Sequence, residues 1–341
     1  ARGHSPALAP EGCGAAPHLS RDACAATALA LCRYTFQSHH DGGGAAADGQ
    51  TWGHSWISVL GLERMMHGVR AIRPLLTDAD RGRMRRVLLS EADWLLTSYP
   101  VTAGLTQNNH PESNMWNGTF LHRAARLYPD APHAAEYREK GTSFLANAIS
   151  LPEDAADGRL LDGRPLQAWH VGPNFTSTCG CNHHGYLNVG YMAITLSNLA
   201  MFHFACKEEG WEPPQALYLH ARDLWRLVKT CTFPDGRLWR VGGDTRVRYC
   251  YCQDYAIPVW CFARDCFGDG DAARFHAGWV RQVAAEAATN GDGSFLGRRL
   301  RRLEAAAPLY TTRLEGERVC SLSMALAWGP AADAAPLAAD A

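Results

Sequence analysis

Between Cys181 and Met192 the chain reads CNHHGYLNVGYM, two amides, two imidazoles and two phenols set just ahead of an apolar run, AITLSNLAMFHF. An imidazole and a phenol in one cleft form an acid/base pair: histidine titrates near ~6.5 and tyrosine near ~10, and a neighbouring cation draws the phenol down toward use as a base. His184 and Tyr191 are the pair this segment offers, with Gly185 and Gly190 between them to let the backbone bend and approach a ligand, and His183 beside them. Three other segments carry similar residue types. TWGHSW holds His54 and Trp56, TQNNHPESNMWNG holds Asn108, Asn109, His110, Glu112, Asn114, Trp116 and Asn117, and GGDTRVRYCYCQDY holds Arg246, Arg248, Tyr249, Tyr251 and Gln253. Tryptophan faces suit sugar rings, and amides donate hydrogen bonds to them. In an extended stretch Arg246 and Arg248 face one side, which suits a carboxylate. Plainer roles compete: helix capping for one or two of the asparagines, a dipole-favoured first turn for Glu112, a satisfied structural histidine for His54, and a hairpin with its polar face in water for the arginines.

The absences narrow the chemistry. There is no G-x-S-x-G elbow, no H-E-x-x-H and no glycine-rich phosphate loop. Amides, arginines, an imidazole and a phenol without a nucleophile fit proton abstraction next to a carboxylate. The C5 proton of a uronic acid becomes removable once donors neutralise its carboxylate, a base then takes that proton, and an acid protonates the departing O4. This is β-elimination of an acidic polysaccharide or oligosaccharide. A glycoside hydrolase acting on unsaturated uronyl sugars is the alternative, with Asp244, Asp254 and Glu112 as its candidate carboxylates. A non-catalytic sugar-binding protein would keep the tryptophans without needing His184 or Tyr191.

These segments need a frame to bring them together. Apolar and amphipathic periodicity predicts an N-terminal helix over about Ser20–Phe36, a glycine-rich loop over His39–Gln50, and then four helix pairs and a last helix, ERVCSLSMALAW. Thr77 and Pro111 are start signals. The first helix of each pair is apolar nearly all round, and the second is charged on one side. Inner buried helices wrapped by outer solvated ones explain that alternation. The expectation is an all-α (α/α) toroid, with at most a short β-hairpin at GRLWRVGG and RVRYCY. Residues 1–50 would form the N-terminal helix and loop, 51–330 the toroid and 331–341 a loose tail. In such a ring the four polar segments converge on one mouth.

Bulk properties remove other classes. A net charge of −1 gives no global field toward nucleic acid or membrane. The first residues, ARGHSPALAPEGCGAAP, contain no apolar signal-peptide core, and no apolar run approaches the ~20 residues of a spanning helix, so a soluble protein is expected. No compartment or oligomeric state is indicated. The 12 cysteines include two C-x-C pairs, a poor zinc spacing, and read as buried thiols. No cofactor is expected; a structural metal at Cys181 with His183 or His184 is the minor alternative.

FTSTCGCNHHGYLNVGYM resembles the His/Tyr segment of the (α/α)-toroid polysaccharide lyases, the group of chondroitin AC and hyaluronate lyases, alginate lyases and heparinase II/III-like proteins. Those enzymes use an asparagine from an earlier helix, a histidine, a tyrosine shortly after it and a later arginine. The resemblance implies His184 and Tyr191 for the middle pair, Asn109 or Asn114 for the carboxylate-neutralising amide, and Arg246 or Arg248 for the arginine. It covers about residues 50–330 as a pattern. The His-to-Tyr spacing is short for the chondroitin AC type, and no large C-terminal β-sandwich follows in this chain.

Overall fold

The computed structural model describes residues 20–106, 109–240, 252–305 and 308–329. Where the sequence leads one to expect a single toroid over 51–330, the chain divides into two compact units: Ala1–Cys231 with Arg240–Gly243, and Thr232–Trp239 with Asp244–Ala341.

The first unit contains α1 (Arg21–Ser38), α2 (Ser58–Ile72), α3 (Asp78–Ser98), α4 (Pro111–Leu127), α5 (Ala134–Ala146), the single turn α6 (Leu166–Trp169), α7 (Val189–Glu209) and α8 (Ala221–Thr230). Local chemistry sets their ends. Ser20 caps α1 by accepting from the Ala23 N–H. Thr77 and Asp80 cap α3 reciprocally. Arg33 of α1 grips the same Asp80 carboxylate with two bonds of 2.9 and 2.8 Å, which holds that carboxyl well below the usual range and ties α1 to α3. The N-terminal helix is thus part of this unit rather than a separate segment. Asn188 caps α7, and Gly210, in the left-handed region at φ 68°, ends it.

The predicted alternation is clearest here. Helices α4 and α7 are buried nearly all round, from Pro111 to Ala125 and from Met192 to Cys206, while α3, α5 and α8 bury one face only. Helix α2 departs from the expectation: Gly61, Gly68, Arg70 and Ala71 are exposed, so it too has a solvent face. Helix α4 is central, packing on α2, α3, α5 and α7. It meets α5 closely because a Cβ on Gly118 would lie 2.7 Å from the Leu145 side chain and 2.9 Å from the Gly141 carbonyl oxygen. Two helix-interior glycines, each costing roughly 1 kcal/mol of helix propensity, therefore serve a backbone approach that a side chain would block. Between α2 and α4, Arg123 donates to Glu63 at 2.6 and 3.2 Å inside the core. Helix α7 reaches the length and hydropathy of a membrane span, contrary to the sequence expectation, but 89% of its most apolar window is buried within the protein.

Buried asparagines tie the loops of this unit to α4. Asn114 Nδ2 donates to the carbonyls of Thr102 and Asn147 at 2.8 and 2.9 Å. Asn174 Nδ2 donates to the same two oxygens, and its Oδ1 accepts from the His110 N–H at 3.2 Å. Asn147 donates to the Ser143 and Trp169 carbonyls and accepts from the Val171 N–H.

The second unit contains α9 (Ala256–Phe267), α10 (Gly270–Ala288), α11 (Gly297–Leu303) and α12 (Pro308–Trp328). Helix α9 is buried from Ala256 to Ala263, and both α10 and α12 pack on it. Arg318, 0% exposed, donates to Asp254 at 3.0 Å and to Glu286 at 2.9 Å, and Trp279 Nε1 donates to Asp254 at 2.9 Å. The hairpin expected at GRLWRVGG and RVRYCY falls largely outside the described residues. Among the described residues two short hairpins occur elsewhere, Leu160–Leu161 with Arg164–Pro165 (β1, β2) and Asn182–His183 with Tyr186–Leu187 (β3, β4).

Replacing Asn147 by Ala leaves the Trp169 carbonyl and the Val171 N–H without their amide partner. At ~1–3 kcal/mol for a buried group left unpaired, the Trp169 carbonyl sets the loss at about 1–3 kcal/mol in urea denaturation at an unchanged m-value, since Val171 is exposed and water can take its N–H. An unmoved midpoint would show that these loops are held by other contacts.

Candidate functional site

The residues around Tyr191 are assembled by a hairpin followed directly by a helix. In β3–β4, His183 pairs with Tyr186 and Asn182 with Leu187. The two turn residues, His184 and Gly185, both have positive φ, 61° and 87°. That is the geometry a two-residue hairpin requires, and glycine adopts it freely, whereas histidine is held there at a cost. Asn188 joins hairpin to helix: its Oδ1 accepts from the Tyr191 N–H at 3.1 Å, and its Nδ2 donates to the Tyr186 hydroxyl and the His183 carbonyl. Gly190 lies inside α7, so the bend that the sequence suggests at two glycines occurs at Gly185 alone.

Three rings result in one cluster. His183 stacks on Tyr191 with centroids 4.0 Å apart and planes at 30°. His184 meets both rings edge-on, and its Nε2 lies 3.2 Å from the Tyr191 hydroxyl. His183 is buried, 6% exposed, while His184 is exposed. Asn109 reaches this cluster from just before α4. Its Nδ2 donates to the Asn182 carbonyl at 2.7 Å, and its Oδ1 lies 2.6 Å from His183 Nδ1. Asn109, His183, His184 and Tyr191, named from the sequence, are therefore brought together.

The first turns of α4 supply the next group. Glu112 is 3% exposed, its Oε2 has no hydrogen-bond partner, and burial pushes its carboxyl up to about 8, so it is largely protonated at neutral pH. Asn114 Oδ1, Trp116 Nε1 and both polar atoms of Asn117 are likewise buried without partners. The Asn114 donor is occupied by the loop carbonyls named above, and Asn117 is fully buried, so neither amide faces solvent. His110 is half-buried at the start of the helix, and burial lowers its imidazole. Trp116 is itself buried and lies 6.2 Å, ring to ring, from Trp56, which is 53% exposed.

His54 belongs to a different cluster. Its N–H donates to Glu91 at 2.6 Å, its ring reaches Ser90 at 2.8 Å, and it lies parallel to Trp94. With Trp94, Ser90, Asp41, Arg85, Arg86 and neighbours it lines a cleft of about 630 Å³. His39, His54 and Glu91 are close enough together to suggest a metal site. The donor set does not fit one. The Asp41 N–H donates to His39 Nδ1 at 3.0 Å, so the His39 proton sits on Nε2 and points at Glu91 Oε1, 2.8 Å away. A ligating Nε2 would need the opposite tautomer. The cluster is a clasp between α3 and the segments around residues 39 and 54. Gly53 is required in it, since a Cβ there would lie 2.4 Å from His39 Nε2. At the alternative pair, Cys181 and His183, Asn109 meets both: its Nδ2 lies 3.9 Å from Cys181 Sγ and its Oδ1 2.6 Å from His183 Nδ1.

Asn108, Asp244, Arg246, Arg248, Tyr249 and Tyr251 lie outside the described residues. Gln253, expected to touch substrate, instead closes a turn: its Oε1 accepts from the Leu238 N–H and its Nε2 donates to the Gly236 carbonyl, both fully inside the second unit. Asn188 is the member that sequence reading passed over, although an asparagine three residues before Tyr191 at a helix start is a capping signal. No protein-family model matches the chain, and no solved structure matches it.

The raised carboxyl of Glu112 fixes the sign of a pH effect. Its folded value, about 8, lies above an ordinary 4.5, so its contribution is fully present below ~4.5 and is lost as pH rises through ~8. Glu112→Gln cannot ionise. Its melting temperature is expected to exceed that of the native chain by an amount that grows between ~pH 5 and ~pH 8, on the order of a few kcal/mol in stability, and then levels off. A pH-independent gap would place the ionisation elsewhere.

Proposed function

We propose that this protein is a polysaccharide lyase that cleaves a uronic-acid-containing glycan by β-elimination. The observation that carries the reading is the ring cluster. A tyrosine hydroxyl lies 3.2 Å from one imidazole, and its ring is stacked on a second, at the end of a buried helix. A base at this point removes the C5 proton of the uronate. The C–H electron pair forms the C4–C5 double bond, the C4–O4 bond breaks, and the leaving oxygen takes a proton from the conjugate acid of the cluster. Tyr191 serves as base and acid when proton and leaving group share a face, with His184 accepting from or donating to its hydroxyl. Trp56 offers an exposed face for a sugar ring.

In the same reading the buried α4 and α7 are inner helices of an (α/α) toroid and α5 and α8 their outer partners. Supporting this are the all-round burial of the first pair and the one-sided burial of the second. The hydrolase reading has less support, because Asp254 is enclosed by Arg318 and Trp279.

A panel of uronic-acid polysaccharides, followed by the ultraviolet absorbance of unsaturated uronate, tests the proposal. The native chain is expected to raise the absorbance on at least one polymer, and Tyr191→Phe to lower the rate by at least ~10²-fold, the usual scale of acid–base catalysis. Loss of absorbance from pre-made unsaturated oligosaccharides would point to a hydrolase instead.

A further inference from the structure

The Asn109 amide can be oriented by chemistry alone. One of its ends lies 2.7 Å from the main-chain oxygen of Asn182. A carbonyl oxygen only accepts, so that end must be Nδ2. The other end is then Oδ1, which also only accepts, and it faces His183 Nδ1 at 2.6 Å. The proton between them therefore belongs to His183 Nδ1. In the neutral ring this leaves the lone pair on Nε2, the form that can take up a proton.

The same bonds decide what Asn109 is able to do. It is fully buried, and both ends of its amide are engaged within the protein. The sequence offers Asn114 as the other amide for a substrate carboxylate, and its donor is held by the Thr102 and Asn147 carbonyls. His183, in contrast, lies directly against the Tyr191 ring.

We propose that Asn109 is a positioning residue: it locks His183, whose ring lies against that of Tyr191, as the Nδ1–H tautomer, rather than offering its own amide to a substrate. The chemical step rests on the elimination reading above; the locked tautomer stands without it. The orientation follows from an acceptor-only oxygen on one side of the amide and is transmitted to the ring on the other.

The test is long-range ¹H–¹⁵N correlation spectroscopy of the full chain labelled with ¹⁵N-histidine, at a pH where the ring is neutral, with His183→Gln identifying the signal. The native protein is expected to show His183 almost wholly as Nδ1–H. Asn109→Asp keeps an acceptor at this place and should keep the tautomer, while moving the acidic limb of the kcat/KM profile to higher pH, since a carboxylate stabilises the charged ring. Asn109→Leu, similar in size but without an acceptor, should give a mixture of tautomers and lower kcat more than it raises KM. An Nε2–H ring in the native chain overturns the proposal, and so does an unchanged Nδ1–H signal in a folded Asn109→Leu. If Asn109→Leu does not fold, the native spectrum and the Asn109→Asp profile decide. An Nδ1–H native signal without any elimination activity would sink the lyase reading and leave the role of Asn109 in place.

Discussion

A helix buried on every side has no solvent to satisfy the groups where it begins, and that constraint on α4 shapes the rest of the first unit. Its start is entered through Asn109 and His110, and it has no side-chain cap. The polar groups nearby find partners in loops instead. Asn174 accepts from the His110 N–H, Asn114 and Asn174 bind the same two carbonyls, and Asn109 binds the hairpin before α7. Because a buried amide left unpaired costs about 1–3 kcal/mol, these bonds select one arrangement of the loops over all others. The hairpin is placed against α4 for the same reason that α4 can be buried at all.

That placement has a consequence for chemistry. Adjacent histidines in one hairpin are given different surroundings. His183 pairs with Tyr186, is buried, and is fixed by Asn109; His184 occupies the turn, in the left-handed region, exposed and within reach of the Tyr191 hydroxyl. A left-handed non-glycine costs of order 1 kcal/mol and persists when its surroundings over-determine it. Here they do, through the β3–β4 pairing and the Asn188 cap, which together set the distance between the turn and the first turn of α7.

Much of this frame was legible in the residues. Thr77 with Asp80, Ser20 and Pro111 are local signals, and they mark helix starts as propensity alone predicts. The all-round apolar character of α7 and the charged face of α8 foretold which would be buried. What failed was whatever depends on partners distant in the chain. Gln253 looks like a polar residue near a mouth, and only the carbonyl of Gly236 and the N–H of Leu238 make it a clasp. His54 looks like a neighbour of Trp56 in function, yet Glu91, 37 residues away, claims its N–H. The hairpin at Asn182–Leu187 was hidden because two-residue strands are too short to show alternation, and His-Gly is an uncommon pair for its turn. Glycines such as Gly118 carried no local sign that they admit a neighbouring helix.

The distinction between Asn109 and Asn114 shows the same limit from the side of mechanism. From composition either amide could hold a carboxylate, since both have donors and both precede a tryptophan. Burial does not separate them, because both are 0% exposed. What separates them is the nature of the atom each one faces. Asn114 donates to two carbonyls and ends there, whereas Asn109 donates to one carbonyl and passes the resulting orientation through its own oxygen to an imidazole. An amide is a relay only when its two ends face partners of opposite kind, one that must accept and one that can be made to donate. Asn109 meets that condition with His183, and this makes a main-chain oxygen of the hairpin, rather than any titratable group, the origin of the proton arrangement beside Tyr191.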